Sequence, residues 1–349
     1  MKRVYVLTPG TYLRKRGDNL CLIQEGKVVD EVGFHNLTQL ILIGYISLSG
    51  AVLNSLVVHR VETVLLDGKG RFKGRLCVEE HKHVQRRMNQ YLKLNAPLFS
   101  LKTAQRIVKG KLLNQARFLA LRSNKSNREK ISNYLAAIKA LSKTVEQTTD
   151  LDVVRGIEGH ASRLYFQAFG HLIANKEFSF LGRNKRPPLD PVNALLSFVY
   201  TLLTNEVLTA IKIVGLDPYL GALHAIEYGR PSLACDLVEE WRTVLGDRLV
   251  LTLINRKIVK KEDFTYRQIE SVGFIDETEL KNKRPVQMKP AICKVFLEAY
   301  ENFIQSKVKY YPEEEMTSYR NAILKQVEAF KTYLLEGKDY EPINLNYLS

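Results

Sequence analysis

The sequence predicts an α+β protein, with a small N-terminal β-rich domain followed by a larger all-α domain. Two observations carry this. Up to about residue 75 the apolar residues come in short β-branched or aromatic runs, separated by the turn pairs Pro9-Gly10, Gly17-Asp18 and Glu25-Gly26. From about residue 96 nearly to the end, apolar residues recur at helical spacing instead. The expected division is 1–80 for the β-rich domain, 81–95 for a linker and 96–349 for the helical domain. A chain of 349 residues, 45% hydrophobic and 26% charged, suits about two domains with a full core.

Taken in order, Arg3–Leu7, Tyr12–Arg16, Leu20–Gln24 and Lys27–Val32 read as strands, joined in hairpins by the turn pairs. Gln39–Ile43 and Val61–Leu66 read as further strands, with a short helix at Ser49–His59 between them. Gly68-Lys69-Gly70 lacks Walker spacing and implies no nucleotide. Glu79-Glu80-His81-Lys82-His83 has metal-binding side chains, but i, i+2 histidines on a helix face different ways, so the stretch reads as solvated linker.

Composition narrows the partners. A net charge of +15 fits a polyanion, nucleic acid first. No run approaches the roughly 20 apolar residues of a membrane span. The opening MKRVYVLTPG is broken too early for a signal peptide, so a cytoplasmic protein with no membrane partner is expected. The cysteines, Cys21, Cys77, Cys235 and Cys293, are widely spaced and argue against a zinc ribbon or a disulfide framework.

Lys102–Lys143 holds eleven Lys/Arg against one acid, Glu129. Ser123–Asn127 breaks it into two helices. One acid cannot neutralise eleven bases through i,i+4 pairs, so the stripe reads as a phosphate-binding face. Further on, Glu158 sits between Gly156 and Gly159 near an expected helix start, where acids commonly pair with the dipole. The loop Leu181–Asp190 carries Arg183, Lys185 and Arg186 before Pro187-Pro188, and a buried helix, Val192–Leu203, follows. The loop reads equally as a capped surface loop and, since arginine forks suit phosphodiester oxygens, as a phosphate clamp. The candidate nucleic-acid backbone contacts are Lys102, Arg106, Lys109, Arg183, Arg186 and Arg230; charge does not choose between DNA and RNA.

The stretch Leu223–Arg242, LHAIEYGRPSLACDLVEEWR, holds the chemistry. Gly229 and Pro231 mark a turn, with Pro231 suited to a first helical position. Leu233, Leu237, Trp241 and Val244 then form an apolar stripe. Asp236, Glu239 and Glu240 lie off it, which by itself describes a solvated face. A compact acidic cluster beside His224 in a basic chain also describes a divalent-cation site, because clustered carboxylates repel unless a cation lies between them. At about 100° per residue, Asp236 lies between Glu239 and Glu240 around the helix, so either glutamate could share a cation with it.

GLDPYLGALH at 215–224 and GRPSLACDLVEEWR at 229–242 resemble the signature of the CRISPR-associated protein one family, the DNA endonuclease/integrase of spacer acquisition. VVRGIEGHASRLYFQAF at 153–169 and LGRNKRPPLDPVNALLSFVYTLL at 181–203 agree with it. So do the N-terminal TPGTYLRKRGDNL and LIGYISLSG and, more loosely, SYRNAILKQ near the C-terminus. Cys235 stands where the family usually has an aliphatic residue; as a small hydrophobe it should change nothing.

The resemblance implies catalytic and metal-binding roles for Glu158, His224 and Glu239, with Asp236 at the metal site either supporting a ligand from behind or holding a second ion. Glu240 would be a structural pair for a base, and its replacement by Gln mild. The implied cofactor is Mg²⁺ or Mn²⁺. The implied reaction is transesterification, a spacer 3′-hydroxyl attacking a repeat phosphate. Implied partners are DNA, a second copy in a homodimer formed by the β domain, and CRISPR-associated protein two. The residues alone imply only metal-dependent phosphodiester chemistry. A non-catalytic nucleic-acid-binding scaffold and an RNA-directed metal nuclease are the competing classes.

Overall fold

The computed structural model describes residues 2–68, 70–76, 83–184, 187–266, 285–311 and 313–345. Two compact units divide it: Met1–Glu80 with Met288–Lys294, and His81–Gln287 with Val295–Ser349.

The first unit holds two four-stranded sheets. Strands β1 (Lys2–Val6), β2 (Tyr12–Arg16), β3 (Asn19–Gln24), β4 (Lys27–Gly33), β5 (Leu37–Ile43), β6 (Ser47–Leu48), β7 (Glu62–Leu66) and β8 (Phe72–Leu76) are ordered β1-β5-β7-β8 and β4-β3-β2-β6. In the first sheet β5 pairs in parallel with both β1 and β7. In the second, β2 and β3 form a hairpin, as do β3 and β4. The β3–β4 turn places Glu25 and Gly26 both at positive φ, 49° and 76°, the signature of a type I′ turn whose twist matches its strands. Helix α1 (Gly50–Val58) is capped by Ser49 Oγ, which accepts from Val52 N. Leu13, Leu20, Leu40, Val52 and Leu56 form the fully buried centre of this unit.

The second unit is mainly helical. Its elements include α2 (Val84–Leu94), α3 (Pro97–Arg122), α4 (Arg128–Gln147), α5 (Leu151–Gly170), α6 (Pro191–Ile213), α7 (Ser232–Trp241) and α8 (Arg248–Asn255). Later helices run Pro290–Gln305 and Tyr319–Glu336. Helix α6 is the central rod. Pro191 pre-sets its first turn and Asp190 caps it by accepting from Asn193 N at 2.8 Å. Contrary to the expectation that no run approaches a membrane span, it is long and apolar enough to cross one by length and composition, yet 72% of its apolar window is buried inside the protein. That makes it a core helix. Helices α3 and α6 both pack on α7, and α3 also packs on α4 and α5.

Several expectations are corrected here. The stretch expected as linker, 81–95, contains helix α2, whose Gln90 is buried and donates to Asp217 O and Leu220 O. The expected α+β class holds, with two short strand pairs interrupting the helices: β9 (Phe264–Tyr266) pairs with β10 (Val286–Met288), and β11 (Lys307–Tyr310) with β12 (Glu315–Ser318). Glu158 lies in the middle of α5, two turns past its start at Leu151, so dipole pairing does not explain it. The histidine–carboxylate stretch at 79–82 and Lys185, Arg186 and Cys77 fall outside the described residues.

Candidate active site

Helix α7 departs most from what its sequence suggests. Its three acids are not on a wet face: Asp236 and Glu240 are 0% exposed and Glu239 2%. A buried carboxylate is costly unless paired or hydrogen-bonded, so each must have its own answer. The three answers are different.

Asp236 is held by the loop before the helix. Oδ2 accepts from the backbone N–H of Ala222 at 2.6 Å and of Leu223 at 2.9 Å. Oδ1 accepts from His224 N at 2.9 Å and meets His224 Nδ1 at 2.7 Å. These four bonds fill the acceptor capacity of a carboxylate. Gly221 permits the approach, since a Cβ there would lie 2.3 Å from Asp236 Oδ2. Arg155 of α5 fastens the same loop by donating to Leu223 O at 2.7 Å. Of the two roles expected for Asp236, these bonds fit the supporting one: it positions His224.

Glu239 faces cations. Arg242 reaches Oε1 at 2.5 Å and Lys111 Nζ of α3 lies 2.6 Å from Oε2. Burial pushes the Glu239 carboxyl up, but Arg242, Lys111 and His224 outweigh it and hold it down at about 2. Lys111 also pairs with Glu158 Oε1, to which Ser162 Oγ donates at 2.9 Å. Burial again pushes Glu158 up, and Lys111 reverses the sign, leaving it below the usual carboxylate range. One ammonium thus joins Glu158 of α5 to Glu239 of α7.

Glu240 points to a different neighbourhood. It accepts from Tyr340 OH, Ile343 N at 2.9 Å and Gln326 Nε2 at 3.1 Å. All three partners are neutral, so burial dominates and pushes its carboxyl up to about 7. The expected structural pairing with a base is corrected to a neutral clasp on the C-terminal segment. Asn114 of α3 joins the clasp, donating to Glu240 O and Ile343 O.

The cleft above Glu239 measures about 640 Å³, and Lys111, Glu158, His224, Glu239 and Arg242 line it. Arg163, Arg183, Tyr200 and Asp247 complete the part that bears charge. Four Lys/Arg face three carboxylates, so the wall is cationic and suits a phosphate. A π-helical segment, Arg242–Asp247, follows α7 and turns Arg242, Thr243 and Asp247 toward the cleft. Tyr200 of α6 and Tyr165 of α5 donate to Asp247 at 2.5 and 2.7 Å. The guanidinium groups of Arg183 and Arg242 stack on the Tyr200 ring, 5.4 and 4.9 Å from its centroid.

The candidate DNA contacts divide. Arg183 lines the cleft, with Nη1 on Asn193 Oδ1 and Nη2 on Ser197 Oγ. Lys102 is exposed. Arg106, by contrast, binds Asp339 at 2.6 Å and Tyr340 O at 2.8 Å, and Lys109 binds Glu146. Arg230 pairs with Glu227 and donates to Ala225 O, bracing the turn after His224. These three are engaged within the fold, so the basic stripe is not a uniform phosphate face.

Among the described residues, no three His, Cys, Asp or Glu side chains converge closely enough to hold a metal as placed. The donor set nevertheless fits one. Glu239 Oε2 is a buried acceptor with no hydrogen bond of good geometry, despite the ammonium nearby. Two carboxylates already share a cation, and the His224 ring nitrogen not taken by Asp236 is Nε2. Oxygen and imidazole donors of this kind suit Mg²⁺ or Mn²⁺.

Sequence reasoning missed Lys111, Arg163, Tyr200, Arg242 and Asp247. Only Lys111 left a clear trace: it falls in the apolar stripe Ala104, Ile107, Val108, Leu112 of α3, where a solvated lysine does not belong.

A β-rich unit and a helical unit whose cationic cleft holds three acids and a histidine define the class. Comparison with known sequences supplies the family. The family model for CRISPR associated protein Cas1 matches residues 4–284, and the chain belongs to that family. It is 40% identical over 290 residues to CRISPR-associated endonuclease Cas1 2 of Rhodospirillum rubrum, covering 79% of this chain and 83% of that protein. It is 34% identical over 342 residues to endonuclease Cas1 3 of Thermus thermophilus, covering 97% and 96%. Among solved structures, a Cas1 protein from Thermotoga maritima superimposes with a TM-score of 0.79 at 22% identity, over 97% of this chain and 98% of that one. A casposase bound to an integration product gives 0.83 at 21%, over 100% and 95%. At these identities the two structural likenesses concern the fold.

Proposed function

We propose that this protein is a metal-dependent DNA endonuclease/integrase that inserts spacer DNA into a CRISPR array. The observation that carries the reading is the pairing of Glu158 and Glu239 across one buried cation in a cationic cleft beside His224. Family membership and the endonuclease names of its relatives support it.

In this reading Glu158, Glu239 and His224 Nε2 hold Mg²⁺ or Mn²⁺. When bound, such an ion polarises the scissile phosphodiester and lowers the pKa of the attacking oxygen. Asp236 keeps the His224 proton on Nδ1, so that Nε2 offers a lone pair. Arg163, Arg183 and Arg242 hold phosphate oxygens and balance the charge that develops on them. In integration a spacer 3′-hydroxyl forms the new phosphodiester and the repeat's original 3′-oxygen leaves. In nuclease action water takes the hydroxyl's place. Exposed Lys102 extends the contact to the DNA backbone. The protein works as a homodimer with CRISPR-associated protein two, in the cytoplasm.

The test is cleavage of branched DNA with and without Mn²⁺, for wild type and His224→Ala. Metal-dependent cleavage that the substitution abolishes is expected. Cleavage insensitive to chelator, or undiminished in His224→Ala, contradicts the proposal. An RNA competitor that outcompetes DNA would make RNA the substrate.

A further inference from the structure

Lys111 is an expensive residue to place where it is. Its side chain is 6% exposed and sits on α3 among Ile107, Val108 and Leu112, all fully buried. Taking an ammonium out of water costs several kcal/mol unless close, well-placed anions answer it. Both of its anions come from other helices, Glu158 from α5 and Glu239 from α7, and each is a residue assigned above to the metal.

The arrangement also solves a problem for those anions. Without a cation between them, two carboxylates from packed helices would repel in a medium that screens poorly. Arg242 answers Glu239 Oε1 but pairs with no oxygen of Glu158 among the described contacts. The bridge between the two acids is Lys111.

We propose that Lys111 is the resident cation of the metal-free site: its ammonium occupies the place between Glu158 and Glu239 that a divalent ion takes. The inference rests on the metal reading of those two carboxylates. Metal binding is then an exchange, in which the ion must displace an ammonium that already satisfies both ligands. The lysine pre-assembles the site, keeping the acids ionised and facing one another, and it lowers apparent metal affinity by competing for them. A lysine that only braced the bundle would do the opposite, because its loss would loosen the ligands and weaken the metal.

The experiment titrates Mn²⁺ into the full chain without DNA and follows the EPR signal of free Mn²⁺. Wild type is compared with Lys111→Met, Lys111→Arg and Glu239→Gln. Lys111→Met should bind Mn²⁺ at least tenfold more tightly than wild type, and Lys111→Arg no more tightly. In EDTA the melting temperature of Lys111→Met should fall, and Mn²⁺ should raise it by more than it raises wild type. Should Lys111→Met fail to fold, Lys111→Gln carries the same comparison, since it removes the charge and keeps a donor. Unchanged or weaker Mn²⁺ binding in the folded lysine variant, with binding lost in Glu239→Gln, overturns the inference and leaves the metal reading standing. Glu239→Gln binding Mn²⁺ as wild type does overturns both.

Discussion

Asp236 and His224 are joined twice: Asp236 Oδ1 accepts from the His224 backbone N–H at 2.9 Å and meets its ring Nδ1 at 2.7 Å. The carboxylate therefore fixes both where the imidazole starts and which nitrogen it presents. Asp236→Asn replaces an acceptor with an NH₂ group that cannot accept, so at least one of the four bonds must fail, and two if the NH₂ takes the place of Oδ2. We predict a stability loss of about 1–3 kcal/mol for the orphaned buried donor. Apparent metal affinity should drop about 10–100-fold, as when support behind a metal-bound histidine is removed. Urea unfolding and a Mn²⁺ titration of cleavage measure the two.

Gly221→Ala should reproduce that defect while leaving the chemistry of both side chains unchanged. Its Cβ would enter the space of Asp236 Oδ2 and lie 2.9 Å from Ser232 O. Both Asp236 and the backbone of α7 would have to move. A Gly221→Ala protein with wild-type Mn²⁺ dependence would show that the loop has slack that these distances deny.

Glu240 predicts a pH signature. Its folded pKa, about 7, lies above the ordinary value of 4.5. Between those limits the unfolded chain loses a proton that the folded protein keeps. Unfolding free energy therefore falls as pH rises through that window and is level above it. The contribution is at most about 3 kcal/mol, at 1.36 kcal/mol per pKa unit. Glu240→Gln removes this titration, so the stability gap between wild type and variant should shrink from pH 4.5 to 7. The expected mildness of the variant concerns strand transfer; its stability should fall, because three donors converge on the carboxylate and an amide presents one oxygen to them. Urea unfolding of both proteins across that pH range is the measurement, and a constant gap would refute the assignment.

The basic residues of α3 and the cleft should separate by salt dependence. Each backbone phosphate neutralised on B-DNA contributes about −0.9 to the slope of log K against log salt. Replacing exposed Lys102 and Arg163 should flatten that slope for any DNA sequence. Replacing Lys109, already paired with Glu146, should leave it unchanged. Arg106 ties α3 to Asp339 and Tyr340, so its loss should show in stability and leave the slope alone.

Most strands of the first unit are legible because alternation and turn pairs are local: Tyr12–Arg16 is a strand as read, and Glu25-Gly26 makes the turn between β3 and β4. Strands Phe72–Leu76 and Lys307–Tyr310 are not, being too short and too mixed to alternate clearly. In the site, the helical stripe of α7 was legible and the fate of its acids was not. A helical wheel shows which residues share a face, but not that α3, α6 and the C-terminal segment enclose every face. Asp236, Glu239 and Glu240 therefore looked alike and turned out to have a loop, two cations and a neutral clasp as partners. By charge Lys111 is one of eleven bases between Lys102 and Lys143; its place in an apolar stripe sets it apart.

The central claim is that Glu239, paired with Glu158 and not with Glu240, holds the ion on which phosphodiester chemistry depends. The most direct measurement is strand transfer into a CRISPR repeat across a Mn²⁺ titration, with DNA binding measured in parallel, for Glu239→Gln and Glu240→Gln. The account predicts that Glu239→Gln abolishes transfer at every Mn²⁺ concentration while still binding DNA. It predicts that Glu240→Gln, assayed at a temperature where it is folded, retains transfer at wild-type Mn²⁺ dependence. An active Glu239→Gln beside an inactive, folded Glu240→Gln would contradict it.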